Sequence, residues 1–254
     1  MASVPIFVIV GVVVSLFTGA VDLTVLHETE DSYELLSVLL TRLPFVLISI
    51  AIIHACYRLA KVFISEDMLA AVYAASGNSP ALVCILGTGS NSCYYDGENM
   101  EMLVSSLGYI LMDEASGNYF GKKLIIDYYY EKMPKRIAKK FNEDFDLDAD
   151  NIKKNLYREA NPNMYLASFA KFMFEFKEDK YIKRIIKKGF QEFFKYRVLP
   201  YNKTSETPIY FIGSIAHYFR DILEKIAKKN NLVITDVIQR PIDNLLEYHK
   251  NNIN

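Results

Sequence analysis

Ala81-Leu82-Val83-Cys84-Ile85-Leu86-Gly87-Thr88-Gly89-Ser90-Asn91 is the stretch on which the fold turns. Six apolar residues stop abruptly at a glycine, as a strand buried on both faces stops at a turn. Two glycines without Cβ then let backbone amides come close to an anion, and two hydroxyls stand ready to donate to phosphate oxygens. The loop Gly87, Thr88, Gly89 and Ser90 therefore reads as a phosphate cradle following a strand, with an ordinary glycine-rich turn as the plain alternative.

Working outward, residues 67–76 have helical composition, and residues 91–95 and 100–105 read as a hairpin. The Asp96-Gly97 pair between them supplies the positive-φ turn positions. Beyond the hairpin the pattern is mainly helical, clearest over 116–133, 150–159, 165–176 and 181–196. Short strands come next at 209–212 and 233–235, each leading into a helix. The expected class is α/β.

The chain of 254 residues is long enough for a sizeable core, and its 51% hydrophobic and 23% charged residues are ordinary for a folded protein. A net charge of -1 argues against general attraction to nucleic acid. The lysines around Lys122, Lys139 and Lys187 are interleaved with acidic residues, as on a solvated helix face. Cys56, Cys84 and Cys93 have neither the number nor the spacing of a disulfide framework, which suits a reducing, cytoplasmic compartment. The four histidines form no metal-ligand pattern, so no metal-binding residues are assigned.

Residues 1–64 differ from the rest. Residues 4–21 carry no charge, and residues 35–57 are apolar apart from Arg42 and a few small polar groups. Both are near the roughly 18 to 20 residues that cross a bilayer, and Arg58 and Lys61 would face the cytoplasm. Two membrane spans, with tethering to the inner membrane through residues 4–57, are expected. Buried elements of a soluble lobe and a cleaved signal peptide remain open as alternatives.

Three further segments accompany the loop. Ser105-Ser106-Leu107-Gly108-Tyr109-Ile110-Leu111-Met112-Asp113-Glu114-Ala115-Ser116-Gly117 places adjacent carboxylates before a helix. Phe211-Ile212-Gly213-Ser214-Ile215-Ala216 is a second strand, glycine turn and helix, and Ser65-Glu66-Asp67-Met68-Leu69-Ala70-Ala71 opens the soluble part. In order and spacing these resemble the BadF/BadG/BcrA/BcrD-type ATPase family, and within it the N-acetylglucosamine kinase-like members of the actin-like superfamily. Gln239-Arg240-Pro241 and residues 245–249 resemble that family's last helix, so the likeness runs over about residues 65–249.

The resemblance implies the C-terminal lobe of an actin-like, ribonuclease H-like sugar kinase over residues 65–254, preceded by an apolar helical segment. It implies ATP and Mg2+ as cofactors and an amino sugar such as N-acetylglucosamine as substrate, and leaves room for a homodimer. Gly87, Thr88, Gly89 and Ser90 would hold the ATP phosphates. Asn91, Asp113 and Glu114 would contact the sugar, and Gly213 and Ser214 would line the adenine pocket. Asp67 would be the general base that takes the proton of the sugar hydroxyl as it attacks the γ-phosphate. Plain structural readings are a helix cap for Asp67, helix-start carboxylates for Asp113 and Glu114, and a simple turn for Gly213.

Two departures stand out. The family usually has Gly-Asp-Glu-Gly-Ser-Gly where this chain has Met112-Asp113-Glu114-Ala115-Ser116-Gly117, an alteration expected to affect sugar contact. No Asp-x-Gly-x-Thr phosphate hairpin precedes Asp67. The resemblance thus implies a kinase with reduced or absent turnover, or a non-catalytic, membrane-anchored nucleotide- or partner-binding protein.

Overall fold

A computed structural model describes residues 67–202 and 206–252. The expected membrane spans at 4–21 and 35–57, and with them the apolar helical segment, lie outside the described residues. Among the described residues no helix is long and apolar enough to cross a membrane.

The chain opens with helix α1 (Asp67–Ser76), followed by strands β1 (Ala81–Leu86), β2 (Ser90–Tyr95) and β3 (Met100–Glu101). A helical block comes next, of α2 (Gly117–Tyr129), α3 (Lys135–Asp144), α4 (Ala149–Tyr157), α5 (Pro162–Phe169), α6 (Phe172–Glu175) and α7 (Lys180–Phe193). Helix α7 runs on into a π-helical turn, Phe194–Val198. Strand β4 (Ile209–Ile212), helices α8 (Ser214–Tyr218) and α9 (Arg220–Lys229), strand β5 (Ile234–Ile238) and helix α10 (Pro241–Asn252) complete a mixed α/β fold.

One five-stranded sheet runs in the order β3-β2-β1-β4-β5. Strand β1 pairs antiparallel with β2 and parallel with β4, which pairs parallel with β5. A central strand covered on both faces can be apolar throughout, and β1 is. Its alternate residues Leu82, Cys84 and Leu86 enter the larger core with Phe120, Leu124, Phe190 and Phe211. Ala81 and Val83 point the other way, into a smaller core with Met68, Ala71, Val72 and Cys93. The sheet therefore separates two hydrophobic layers, the period of two along β1 deciding which side chain enters which.

Helix starts follow local chemistry. Ser116 Oγ accepts from Tyr119 N at the head of α2 (3.2 Å), Asp148 accepts from Asp150 N and Asn151 N before α4, and Asp179 accepts from Tyr181 N before α7. Each satisfies an amide that the first helical turn leaves unpaired.

The helix expected over 116–133 ends at Tyr129, helix α3 lies outside the clearest expected helices, and three further boundaries differ for identifiable reasons. The strand expected over 100–105 pairs only at Met100 and Glu101. Past that point Leu103 N donates to Tyr201 Oη and Val104 O accepts from Arg197, so the backbone leaves the ladder for side-chain partners. The helix expected over 165–176 is two helices, Pro162–Phe169 and Phe172–Glu175. The last strand begins at Ile234 and runs to Ile238, leaving Val233 82% exposed.

Candidate functional site

The Gly87–Gly89 stretch is the tip of a hairpin. Because Leu86 stands opposite Ser90, only Gly87, Thr88 and Gly89 remain to reverse the chain. Gly87 N donates to Gly89 O at 3.0 Å. The other two carbonyls of the tip turn toward α2, Gly87 O accepting from Gly117 N (2.8 Å) and Thr88 O from Asn118 N (3.0 Å). With its carbonyls engaged in this way, the tip leaves the amides of Thr88 and Gly89 without an acceptor among the described residues. The free donors at this corner therefore belong to the loop, since Ser116 and the loop carbonyls already occupy the first amides of α2. Ser90 Oγ, buried beside them on the larger-core face, also has no partner among the described residues.

Asp113 closes one side of this tip. A β-carbon built on Gly89 would lie 2.9 Å from Asp113 Oδ2, so the absence of a side chain at Gly89 is what admits the carboxylate. Asp113 is buried, and its Oδ2 accepts from Asn118 Nδ2 at 3.0 Å. The remaining acceptor of that amide, Asn118 Oδ1, is buried and unpartnered. Thus Ser90 and Asn118 keep buried polar atoms beside the loop that no described residue satisfies.

The backbone that delivers Asp113 is unusual. Asp113 has φ 68° and Ala115 φ 61°, both left-handed, with Ser116 N returning to Asp113 O at 3.1 Å. An aspartate tolerates this region, whereas an alanine costs roughly 1 to 2 kcal/mol there. Ala115 stands where the resembled pattern has a glycine, and holds a left-handed conformation that a glycine would adopt at no steric cost. Met112, at the other replaced position, packs its Sδ 3.2 Å from Arg197 Nη2.

Glu114 is held from behind. Arg197, in the π-helical turn, is 1% exposed, and its Nε reaches Glu114 Oε2 at 3.4 Å. Its Nη1 donates to Val104 O at 2.9 Å, and its own carbonyl accepts from Ser92 Oγ at 2.7 Å. Sequence reasoning missed both Arg197 and Asn118. Arg197 lies within a run of basic residues that resembles a solvated helix end, and only the π-turn and its burial mark it out. Asn118 had a fainter signal, as a polar residue in the buried first turn of a helix. Nearby, Tyr119 Oη donates to Glu192 Oε2 at 2.6 Å, and burial together with that carboxylate pushes the phenol well above its ordinary range.

Gly213 joins the loop from the neighbouring strand. Its φ is 117°, and a β-carbon there would lie 2.4 Å from Leu86 O and 3.1 Å from Gly87 N. The two strand-glycine turns therefore abut. Ser214 is the exposed first residue of α8. Asp67 and Asn91 belong to the opposite face. Asn91 shares the face of Ile85 and the smaller core, with Oδ1 accepting from Ser92 N at 2.9 Å and Nδ2 pointing to Met102 Sδ at 3.7 Å. Asp67 is exposed in the first turn of α1, a helix that packs on that same face through Met68, Ala71 and Val72. The structure thus gathers Gly87, Thr88, Gly89, Ser90, Asp113 and Gly213, with Glu114 one residue on, and sets Asp67 and Asn91 across the sheet from the carboxylate pair.

Among the described residues, no three His, Cys, Asp or Glu side chains come together as a metal cage. No family model matches the chain, and no curated protein does. Solved structures do match. A candidate N-acetylglucosamine kinase from Chromobacterium violaceum aligns with 72% of this chain at a TM-score of 0.57 and 17% identity, over 64% of its own length, a likeness of fold alone. Over 73% of its residues the chain is similar, at 38% identity and a TM-score of 0.69, to a candidate N-acetylglucosamine kinase from Porphyromonas gingivalis, 65% of whose length it spans.

Proposed function

We propose that residues 65–254 are the nucleotide- and amino-sugar-binding lobe of an N-acetylglucosamine kinase-like phosphotransferase of actin-like fold. One observation carries the reading: among the described residues the Thr88 and Gly89 amides are left without acceptors, at a hairpin tip whose carbonyls are all engaged. Free amides converging at a glycine turn suit the oxygens of a phosphate chain. The likeness to a candidate N-acetylglucosamine kinase supplies the sugar.

In this reading Gly87, Thr88, Gly89 and Ser90 hold the phosphates and Gly213 and Ser214 border the adenine. Asp113 and Glu114 accept from sugar hydroxyls on one side of the hairpin tip, and a sugar bound across the tip would meet Asn91 on the other. From that second side Asp67 takes the proton of the attacking hydroxyl as its oxygen bonds to the γ-phosphorus and ADP leaves. Such a transfer depends chiefly on positioning and charge. The described residues do not fit a resident metal cage, so Mg2+ would arrive with the nucleotide, held mainly by phosphate oxygens and water.

A second reading, nucleotide binding without turnover, is favoured by the placing of Asp67 and Asn91 on the smaller-core side of the sheet, apart from Asp113 and Glu114. One experiment separates the two. The full chain is titrated with ATP and assayed for ATP-dependent phosphorylation of N-acetylglucosamine, alongside Asp67→Asn. Turnover lost in Asp67→Asn with ATP binding retained supports the kinase. ATP binding with no turnover in either chain supports the second reading, and no ATP binding at all overturns both.

A further inference from the structure

Arg197 is a fully buried cation whose three nitrogens all serve one segment. Nε meets Glu114 Oε2, Nη1 meets Val104 O and Nη2 meets Met112 Sδ. Between β3 and α2 that segment has neither helix nor strand. It also leaves Leu107, Ile110 and Leu111 more than half exposed. Its end is buried at Asp113, Ala115 and Ser116, and elsewhere the links that fix it are few: Asn91 to Met102, Leu103 N to Tyr201, Lys122 to Tyr109 O, Asn118 to Asp113, and the three from Arg197. On its other side Arg197 is tied to the sheet, its carbonyl accepting from Ser92 Oγ at 2.7 Å.

The carboxylate it holds is only partly spent. The Glu114 side chain is 20% exposed against 1% for Arg197, and Oε1 has no donor among the described residues. A buried guanidinium on one oxygen keeps a carboxylate oriented while the other oxygen remains able to accept. The arginine reaches this position from a π-helical turn, a helix irregularity that recurs at functional sites.

We propose that Arg197 is a positioning residue for the sugar: it presets the Glu114 carboxylate and the 104–114 backbone, which also carries Asp113, before ligand arrives. The inference rests on the sugar reading of Asp113 and Glu114 above. It predicts a split between ligands, because the phosphate tip is held by Gly117 and Asn118 and not by Arg197.

The test uses the full chain with two probes, N-acetylglucosamine and a non-hydrolysable ATP analogue, each titrated by calorimetry. In Arg197→Met the sugar Kd should rise at least tenfold while the analogue Kd stays within twofold. Arg197→Lys should recover part of the sugar affinity, and Arg197→Met combined with Glu114→Gln should bind sugar no more weakly than the poorer single variant. Unchanged sugar affinity in a folded Arg197→Met overturns the inference, as does equal weakening of both ligands, which a purely structural role would give. Should Arg197→Met not fold, unchanged sugar affinity in Arg197→Lys overturns it instead. If the unaltered chain binds the analogue but no sugar, the sugar reading itself falls, an outcome distinct from failure of the Arg197 assignment alone.

Discussion

The carboxylate of Asp113 rests against the α-carbon of Gly89, so closely that a methyl group there would stand 2.9 Å from Oδ2. Neither residue can change without the other noticing. Asp113 is buried and tied to Asn118, and cannot simply swing aside.

Gly89→Ala should therefore displace Asp113 and spoil the tip together. Overpacking of this kind costs about 1 to 3 kcal/mol. A loss of that size in urea denaturation, with at least tenfold weaker ATP-analogue binding, is expected. Wild-type affinity in a folded Gly89→Ala would show that the tip does not hold the phosphates.

At Gly213 the consequence is larger. A side chain would have to adopt φ 117° with its β-carbon 2.4 Å from Leu86 O, a backbone atom that cannot retreat without breaking β1. Gly213→Ala should lose roughly 2 to 4 kcal/mol, combining left-handed strain with the clash. Denaturant titration against the parent chain checks this.

Ala115 should behave in the opposite sense. Glycine there relieves the left-handed strain of about 1 to 2 kcal/mol but removes a buried methyl worth about 0.8 kcal/mol. Ala115→Gly is expected to match or slightly exceed the parent in stability, by at most about 1 kcal/mol. Ala115→Val, with a β-branched residue at positive φ, should be destabilised by more than about 2 kcal/mol. Thermal or urea melts of the pair decide it.

The two core thiols predict an alkaline limit. Burial pushes Cys93 up to about 12 and Cys84 well above its usual range, with Cys93 adding to the shift of Cys84. Unfolding frees both to ionise near pH 8.5, so above that pH the unfolded chain binds fewer protons than the folded one. Each thiol should then remove about 1.4 kcal/mol of stability per pH unit from about pH 9.5 until its folded pKa is reached. Cys84→Ala and Cys93→Ala, each compared with the parent at pH 7.5 and pH 10, should flatten the slope. A slope equal to the parent's in both would contradict the assignment. Ionisation of Tyr119 and Tyr181, both held protonated by burial and a neighbouring carboxylate, acts in the same direction at higher pH.

The sequence is legible where its information is local. The apolar run at Ala81–Leu86 and the strand at Ile209–Ile212 appear with the boundaries their composition gives, because burial on both faces demands apolar residues at every position. The glycine at position 213 marked a turn for a reason the structure makes concrete, its contact with Leu86. The β3 strand was overestimated because the competing partners of its later residues, Tyr201 and Arg197, lie about a hundred positions away. Nor could sequence place Asp67 and Asn91 on the face opposite Asp113, since that depends on strand register. Arg197 was invisible for the same reason, its meaning residing in a helix distortion and in partners brought from afar.

That distortion also bears on chain length. A π-turn arises when a helix carries one residue more than its α-helical hydrogen bonding needs. Removing one residue from Phe194–Val198 would restore regular winding and re-aim the side chains of the turn itself, while the residues after it keep nearly their old heading, because the wider turn had already absorbed the extra residue. Removal of any residue ahead of Arg197 in that turn would then change its aim without mutating it. A homologue one residue shorter between Lys180 and Leu199 would retain the helix and lose the means of presenting a cation to this loop, so a gap in an alignment here would carry as much meaning as a substitution.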